Sequence, residues 1–303
     1  MLRWAIPAAL LLAGAGVLIG RPSTAGQRAH TAQLPREERG PAPASPAPPL
    51  LFEDARAAIR RETDIDRLLA ATESLFDRAD EVKDELLALA ADDRPERRVA
   101  ALSALMHLTR VDAAAIEVVL RAARADAVED VRIAAIAALS SWMHRLPEHT
   151  DGLAHALVGL ARTETHDEVR GHAIQGVALL DRRVDAVVAP MAELARADRC
   201  AQNRALAAMA LGGGGAAAVP HLEAAIAVEP AAENRRAMLM QLVRAGGAEA
   251  LPRIAAGRPD LAADVRDYLE ILRTETDPAR VWELKQHRDA ERGRAAGADD
   301  HDD

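Results

Sequence analysis

The amino-acid sequence predicts an all-α chain, an α/α superhelical solenoid of about six to seven similar helical hairpins, and three observations carry that expectation. First, Arg67, Arg98, Arg132, Arg170, Arg204, Arg235 and Arg266 recur at intervals of 31, 34, 38, 34, 31 and 31 residues. All but Arg67 have an acid six positions earlier, namely Asp92, Asp126, Glu164, Asp198, Glu229 and Asp260. So regular a beat marks a stack of equivalent units, each burying its apolar face against its neighbours. Second, apolar residues keep the helical period from Leu51 onward, and no useful stretch alternates with period two, so no sheet is expected. Third, half the residues are hydrophobic while only 2% are aromatic, so the core has to consist of thin layers of small aliphatics between closely packed helices.

The elements follow in chain order. Arg3 precedes an apolar run from Trp4 to Gly20, and Ser23 and Ala25 then supply the small residues that a signal peptidase accepts. Residues 1–25 are read as a signal peptide or, if retained, an N-terminal membrane anchor. Both outcomes predict an exported protein, periplasmic or anchored in the inner membrane and facing the periplasm. Residues 26–50 carry six prolines between Pro35 and Pro49 and almost no large apolar residue after Leu34. They read as a Pro-rich disordered linker, an extended spacer whose prolines also suit a polyproline ligand.

A helical array is expected over residues 51–288. Leu51 to Arg61, with Phe52, Ala55, Ala58 and Ile59 apolar, is placed as a cap on one open end. In each unit the helix after the arginine shows one apolar face, as in Val131, Ala135, Ala138, Leu139 and Trp142. A second helix follows. Its stripe is Ile116, Val119, Leu120 and Ala123 in one unit, Leu153, Leu157, Leu160 and Ala161 in the next, then Val187, Met191, Leu194 and Ala195. Pro190, Pro220 and Pro252 mark the second helices and fall near the starts of their apolar stripes, where a missing amide costs least. Gly212 to Gly215 lacks the Lys-Ser/Thr of a phosphate cradle and reads as an inter-helix turn. At the far end Asp277 is suited to cap, Pro278 to open a helix, and Val281, Trp282 and Leu284 to cover the last unit. Residues 289–303 read as an acidic disordered tail.

The Asp-(x)4-Val-Arg-x-x-Ala-x-x-Ala-Leu pattern from Asp126 to Leu139 has similar copies at Asp92 to Leu105, Glu164 to Val177 and Asp198 to Leu211, with more degenerate ones from Glu229 and Asp260. This pattern resembles the short bacterial HEAT repeat, also found in phycobilin lyase subunits, over roughly Asp64 to Arg273. The resemblance implies an armadillo-like, right-handed helical stack. It also implies that Asp92, Arg98, Asp126, Arg132, Glu164, Arg170, Asp198 and Arg204 form a structural ladder, hydrogen-bonded within and between repeats. From position alone, each acid sits in the turn before a first helix, where free backbone amides await an acceptor. Arg124, Arg162 and Arg196 lie two residues before the turn acid and close three successive second helices, with Arg121 one turn earlier in the first. Because HEAT-like second helices line the concave surface, these arginines would form a cationic row able to receive an acidic partner segment. The alternative is that a helix C-terminus simply favours positive charge.

Charge and composition exclude several functions. A formal net charge of -9 makes the chain a poor candidate for gripping phosphate backbones, so no nucleic-acid partner is expected. Cys200 is the only cysteine, which rules out an intramolecular disulfide or a thiolate cluster. His144, His149, His155, His166 and His172 lie within one repeat and its borders, yet no two share the i, i+4 spacing of helical metal ligands. The six serines offer no Gly-x-Ser-x-Gly elbow, and Ser140 and Ser141 have no paired base in view. No catalytic residue, metal or cofactor is therefore expected. The expectation is an exported, non-enzymatic scaffold or adaptor that binds another protein through the concave face, with an N-terminal membrane tether if the first segment stays uncleaved. Held at the membrane in that way, it would also suit a regulatory input domain. The alternative is a HEAT-like enzyme of the lyase type, or a metal- or cofactor-binding protein.

Overall fold

Fifteen α-helices account for most of the computed structural model, which describes residues 51–62, 64–180 and 184–298. Among the described residues there is no strand. The order is α1 (Phe52–Arg61), α2 (Ile65–Glu73), a 3-10 segment (Phe76–Val82), α3 (Lys83–Leu89), α4 (Pro95–Leu105) and α5 (Ala113–Ala125). Next come α6 (Glu129–Arg145), α7 (Thr150–Thr163), α8 (Asp167–Ala178), α9 (Asp185–Ala197) and α10 (Ala201–Gly212). The chain continues through α11 (Val219–Val228), α12 (Ala232–Arg244), α13 (Leu251–Gly257), α14 (Ala262–Ile271) and α15 (Pro278–Ala298). The expected export segment and linker, residues 1–25 and 26–50, lie outside the described residues. Among those that are described, no helix is long and apolar enough to cross a membrane.

Local chemistry explains where the helices begin and end. The side chains of Asp64 and Asp112 accept the amides of Arg67 and Ala115, capping α2 and α5. Pro95, Pro220 and Pro252 sit in the first two positions of α4, α11 and α13. Pro190 does not: it lies inside α9, which corrects its expected placement near a helix start. The carbonyl it strands belongs to Ala186, an exposed residue, so water can satisfy it. α12 ends on Gly246 (φ 87), with Gly247 N–H donating to Leu242 O at 2.9 Å and Gly246 N–H to Val243 O at 3.0 Å, a Schellman closure that needs the left-handed residue.

The helices fall into two kinds. α4, α6, α8, α10 and α12, which carry five of the recurrent arginines, pack directly one on the next; α6, α8, α10 and α12 also pack on the helix of the second kind that precedes each, and α4 packs on α3. α5, α7, α9, α11 and α13 contact one another less extensively. The first kind is buried on most sides: in α6 Val131, Ile133, Ala134, Ala135, Ile136, Ala138, Leu139, Ser140, Trp142 and Met143 are all inaccessible. Small residues make this spacing possible. An added Cβ on Gly176 of α8 would lie 2.2 Å from Ser140 Oγ of α6, and one on Gly212 of α10 would lie 2.2 Å from Gln241 Oε1 of α12. Trp142, fully buried, donates its indole N–H to Leu105 O at 2.9 Å and so also satisfies an end carbonyl of α4.

The last helix departs from two expectations. α15 runs on to Ala298, so the boundary drawn at Arg288 for a disordered tail is too early; Asp289 and Arg292 pair back onto Lys285 and Asp267, which holds the added turns. Residues 299–303 lie outside the described residues. Of the apolar edge expected on this helix, Val281 is buried and Trp282 half-buried, but Leu284 is exposed, and Lys285 takes the buried position instead.

Candidate functional site

The charged residues of the recurrent pattern meet along the edge where second helices turn into first helices. Asp126, Glu164, Asp198 and Glu229 are each the residue that ends a second helix, their own N–H closing the last turn. Each carboxylate then accepts the amide two residues on: Val128 (3.0 Å), His166 (2.8 Å), Cys200 (2.8 Å) and Ala231 (3.0 Å). An acid in this place stiffens the turn and aims its second oxygen along the stack.

The arginines span between turns. Arg98 donates Nη1 to the main-chain O of Asp92 at 2.9 Å, in its own turn. Its Nε and Nη2 reach both carboxylate oxygens of Asp126, in the next turn, at 2.7 and 2.8 Å. Arg132 bonds Asp126 O (2.8 Å) and Glu164 Oε2 (3.0 Å) in the same way. Arg170 bonds Glu164 O (3.1 Å) and both oxygens of Asp198 (2.7 and 2.9 Å). Arg204 bonds Asp198 O (2.9 Å) and both oxygens of Glu229 (2.7 and 2.9 Å), and Arg235 bonds Glu229 O (3.0 Å) and Asp260 Oδ2 (2.8 Å). Each of these five arginines thus reaches the acid of the following turn and meets the acid of its own turn only at the main chain; Arg170 also bonds Asp167 Oδ1, three residues back, at 2.6 Å.

The ends of the series break the pattern. The Asp92 carboxylate faces Arg97 Nε at 2.9 Å, an ion pair not aligned for a hydrogen bond. Arg67 and Arg266 are exposed.

The rungs alter titration in one direction. Burial pushes the Asp126, Asp198 and Glu229 carboxyls up, but the guanidinium bonds and turn amides outweigh it and leave all three below the ordinary carboxylate range. Asp198 holds Arg170 above its usual value, against burial. Such groups stay ionised and bonded to each other at neutral pH.

A second set of inter-unit bonds escaped the sequence reading. Asn203, beside Arg204, donates to Asp167 O at 3.0 Å, and Asn234, beside Arg235, donates to Ala201 O at 2.7 Å. Arg97, beside Arg98, donates to Glu62 O (2.6 Å) and Ile59 O (2.9 Å) at the end of α1. The signal was present as a polar residue just before the ladder arginine, masked by Val131 and Val169 at the intervening positions.

The arginines expected as a docking row lie at the C-terminal ends of α5, α7 and α9, all exposed. Arg121 pairs with Glu117 one turn back at 2.8 Å. Arg162 lies 3.8 Å from Glu193 of α9, both well exposed, and Arg196 donates to Ala192 O at 3.3 Å. Arg124 borders a cleft of about 490 Å³ between the α5–α6 and α7–α8 turns, together with Asp126, Arg132, Leu160, Thr163 and Glu164.

The five histidines do not converge on one point. His149 Nε2 lies 3.2 Å from Val111 O, His166 Nε2 lies 2.8 Å from Glu129 Oε1, and His155 is exposed. His172 is held below the usual imidazole range by burial, partly offset by Glu168. Among the described residues, the group of carboxylates close enough to hold a cation is Asp264, Asp267 and Asp289. That place is already taken: Lys285 Nζ lies 2.9 Å from Asp264, 2.6 Å from Asp289 and 3.7 Å from Asp267. Arg236 of α12, Arg288 and Arg292 complete the network. Val281, Lys285, Arg288, Asp289 and Arg292 follow one another at helical spacing, so a charged stripe could have been read there.

No protein-family model matches the chain, and no curated protein matches it.

Proposed function

We propose that the chain is a HEAT-like α/α solenoid that works as a non-enzymatic scaffold or adaptor, binding another protein along the edge where its second helices end. The observation that carries this reading is the division of labour among the arginines. Arg98, Arg132, Arg170, Arg204 and Arg235 are consumed by the turn acids, while Arg124, Arg162 and Arg196 stand exposed at equivalent positions of consecutive second helices. Long cationic side chains repeated at one edge steer and anchor an acidic partner. The close packing of the first helices on one another supports a stacked arrangement, with the row along the edge where the second helices end. The apolar N-terminal run supports export, so the partner is sought among envelope proteins.

A photoreactive residue placed at Gly159, an exposed position of α7 one turn before Arg162, tests the reading in cells. A discrete crosslinked protein, lost when Arg124, Arg162 and Arg196 are changed to glutamate, is the expected result. A crosslink indifferent to those changes moves the binding surface elsewhere. Mass spectrometry of the mature N-terminus decides between cleaved and tethered forms.

The metal-binding alternative has one foothold, the Asp264, Asp267 and Asp289 carboxylates, where Asp267 Oδ2 is buried without a hydrogen bond. The ammonium of Lys285 already supplies the positive charge there, so elemental analysis of the purified protein should find no stoichiometric metal.

A further inference from the structure

The last helix is fastened to the stack mainly by charge, and we infer that its seat is a second docking surface, one for a basic helix of a partner, with α15 as the resident occupant that such a helix displaces. This surface lies on other helices than the arginine row and goes beyond the scaffold reading. Apolar burial on α15 is sparse. Among its described side chains Val281 and Lys285 are buried and Trp282 and Arg288 half-buried, whereas α12 buries Met238, Leu239, Leu242 and Val243 among others. Ion pairs make up the difference. Lys285 Nζ lies 2.9 Å from Asp264 Oδ1, Arg288 Nη1 lies 2.8 Å from Glu270 Oε2, and Arg292 bonds Asp267 Oδ1. The three cations stand at i, i+3 and i+7 on one face of α15, with Val281 one turn ahead on that face, and all three carboxylates belong to α14. This is how a helix bound in a groove is read, except that the ligand is the chain's own terminus.

An attachment of this kind sets register more than it holds. Burying the Lys285 ammonium with Asp264 and Asp267 costs much of what their attraction returns. Arg288 and Arg292 are 36% and 52% exposed, so their pairs are screened by salt. The match is also incomplete: among the described residues the inaccessible Asp267 Oδ2 accepts no hydrogen bond, so a helix whose cation reached it would bind better than α15 does. The turn between the two helices is closed on itself, since the amides of Thr276 and Asp277 both donate to Glu275 Oε1 at 2.9 Å, and α15 can leave without breaking them. Once vacated, the seat presents Asp264, Asp267 and Glu270 against one cation of α12, Arg236, which lies 3.2 Å from Asp264. Such a face selects a basic helix and repels an acidic one.

Fluorescence anisotropy tests the inference with a labelled peptide of residues 278–298, titrated with the full-length protein and with full-length Arg288→Glu/Arg292→Glu, whose own α15 is loosened. The expected result is saturable, salt-sensitive binding to the variant, at least about tenfold tighter than to the wild type, whose seat is filled. A peptide of the same composition with its cations spread round the helix should bind the variant at least about tenfold more weakly. Hydrogen exchange on the unmodified protein gives a reading that needs no variant: amides of residues 281–290 should exchange at least about threefold faster in 0.5 M than in 0.05 M NaCl, while those of α12 stay unchanged. No binding to a variant that keeps the wild-type circular dichroism, equal binding of the two peptides, or an α15 as protected as α12 at both salt concentrations overturns the inference. Light scattering that finds either protein dimeric overturns the assignment to a partner and gives the seat to α15 of a second copy. The scaffold reading is judged separately by the cellular crosslink and survives any of those results.

Discussion

Truncating Arg170 to alanine isolates the worth of one rung. The guanidinium makes two bonds to Asp198 (2.7 and 2.9 Å), one to Glu164 O (3.1 Å) and one to Asp167 (2.6 Å). The side chains of Arg170 and Asp198 are only 8% and 2% exposed, so the carboxylate left behind cannot be rehydrated without opening the turn. It keeps a single donor, the Cys200 amide. Breaking a buried pair from one side costs about 3–5 kcal/mol, and a domain of this size loses about 2 °C of melting temperature per kcal/mol, so a drop of about 6–10 °C is expected. The comparison is Arg280→Ala, whose partner Glu283 shares a fully solvated edge (59% and 61% exposed), and which should move the transition by no more than about 2 °C. Adding Asp198→Ala to Arg170→Ala removes the orphaned charge and should restore part of the loss, with a coupling of at least about 1 kcal/mol. Calorimetry at neutral pH reads all five proteins: the wild type, Arg170→Ala, Asp198→Ala, the double variant and Arg280→Ala. Equal shifts for Arg170→Ala and Arg280→Ala, or a double variant that loses the sum of the single effects, would refute the view that the rungs hold the stack together.

Three further outcomes are expected. Asp126, Asp198 and Glu229 have carboxyls lowered in the folded state, so the stability they contribute is complete above the unfolded carboxylate range and disappears as pH falls through their folded values. The melting temperature should therefore be level from about pH 5.5 to 8 and fall steeply below about pH 4, more shallowly in Arg170→Ala, by calorimetry across a pH series. Gly176→Ala drives a methyl to 2.2 Å from Ser140 Oγ and should destabilise, with rescue by Ser140→Ala, whereas Gly159→Ala meets nothing within 4 Å and should stabilise by up to about 1 kcal/mol in urea unfolding. Burial pushes the Lys285 ammonium down, but its bonds to Asp289 and Asp264 raise it overall, so its contribution is present at neutral pH and lost only as pH rises through that raised value. Lys285→Met, which leaves the Asp264, Asp267 and Asp289 carboxylates without their ammonium, should lower the melting temperature at pH 7 by calorimetry; an unchanged transition would exclude a charge clasp on α15.

The sequence by itself determined the helical class, the phase of the helices and the residues that repeat, because each of these follows from spacing along one chain. An apolar stripe at the helical period needs a buried face wherever it packs, and an acid at a helix end finds its turn amide without help from distant residues. Asp126 and Arg132 were legible for that reason. Tertiary structure alone decided which arginine meets which carboxylate, since the partner of Arg98 is the acid of the following turn, Asp126, rather than Asp92, six residues back. It also decided that Lys285 is buried while Leu284 is exposed, because the inward face of α15 meets the Asp264 and Asp267 carboxylates of the preceding helix α14, a packing that spacing along α15 does not reveal. Local order is written in intervals between neighbours; pairing across units depends on which surfaces are brought together, and that is a property of the assembled stack.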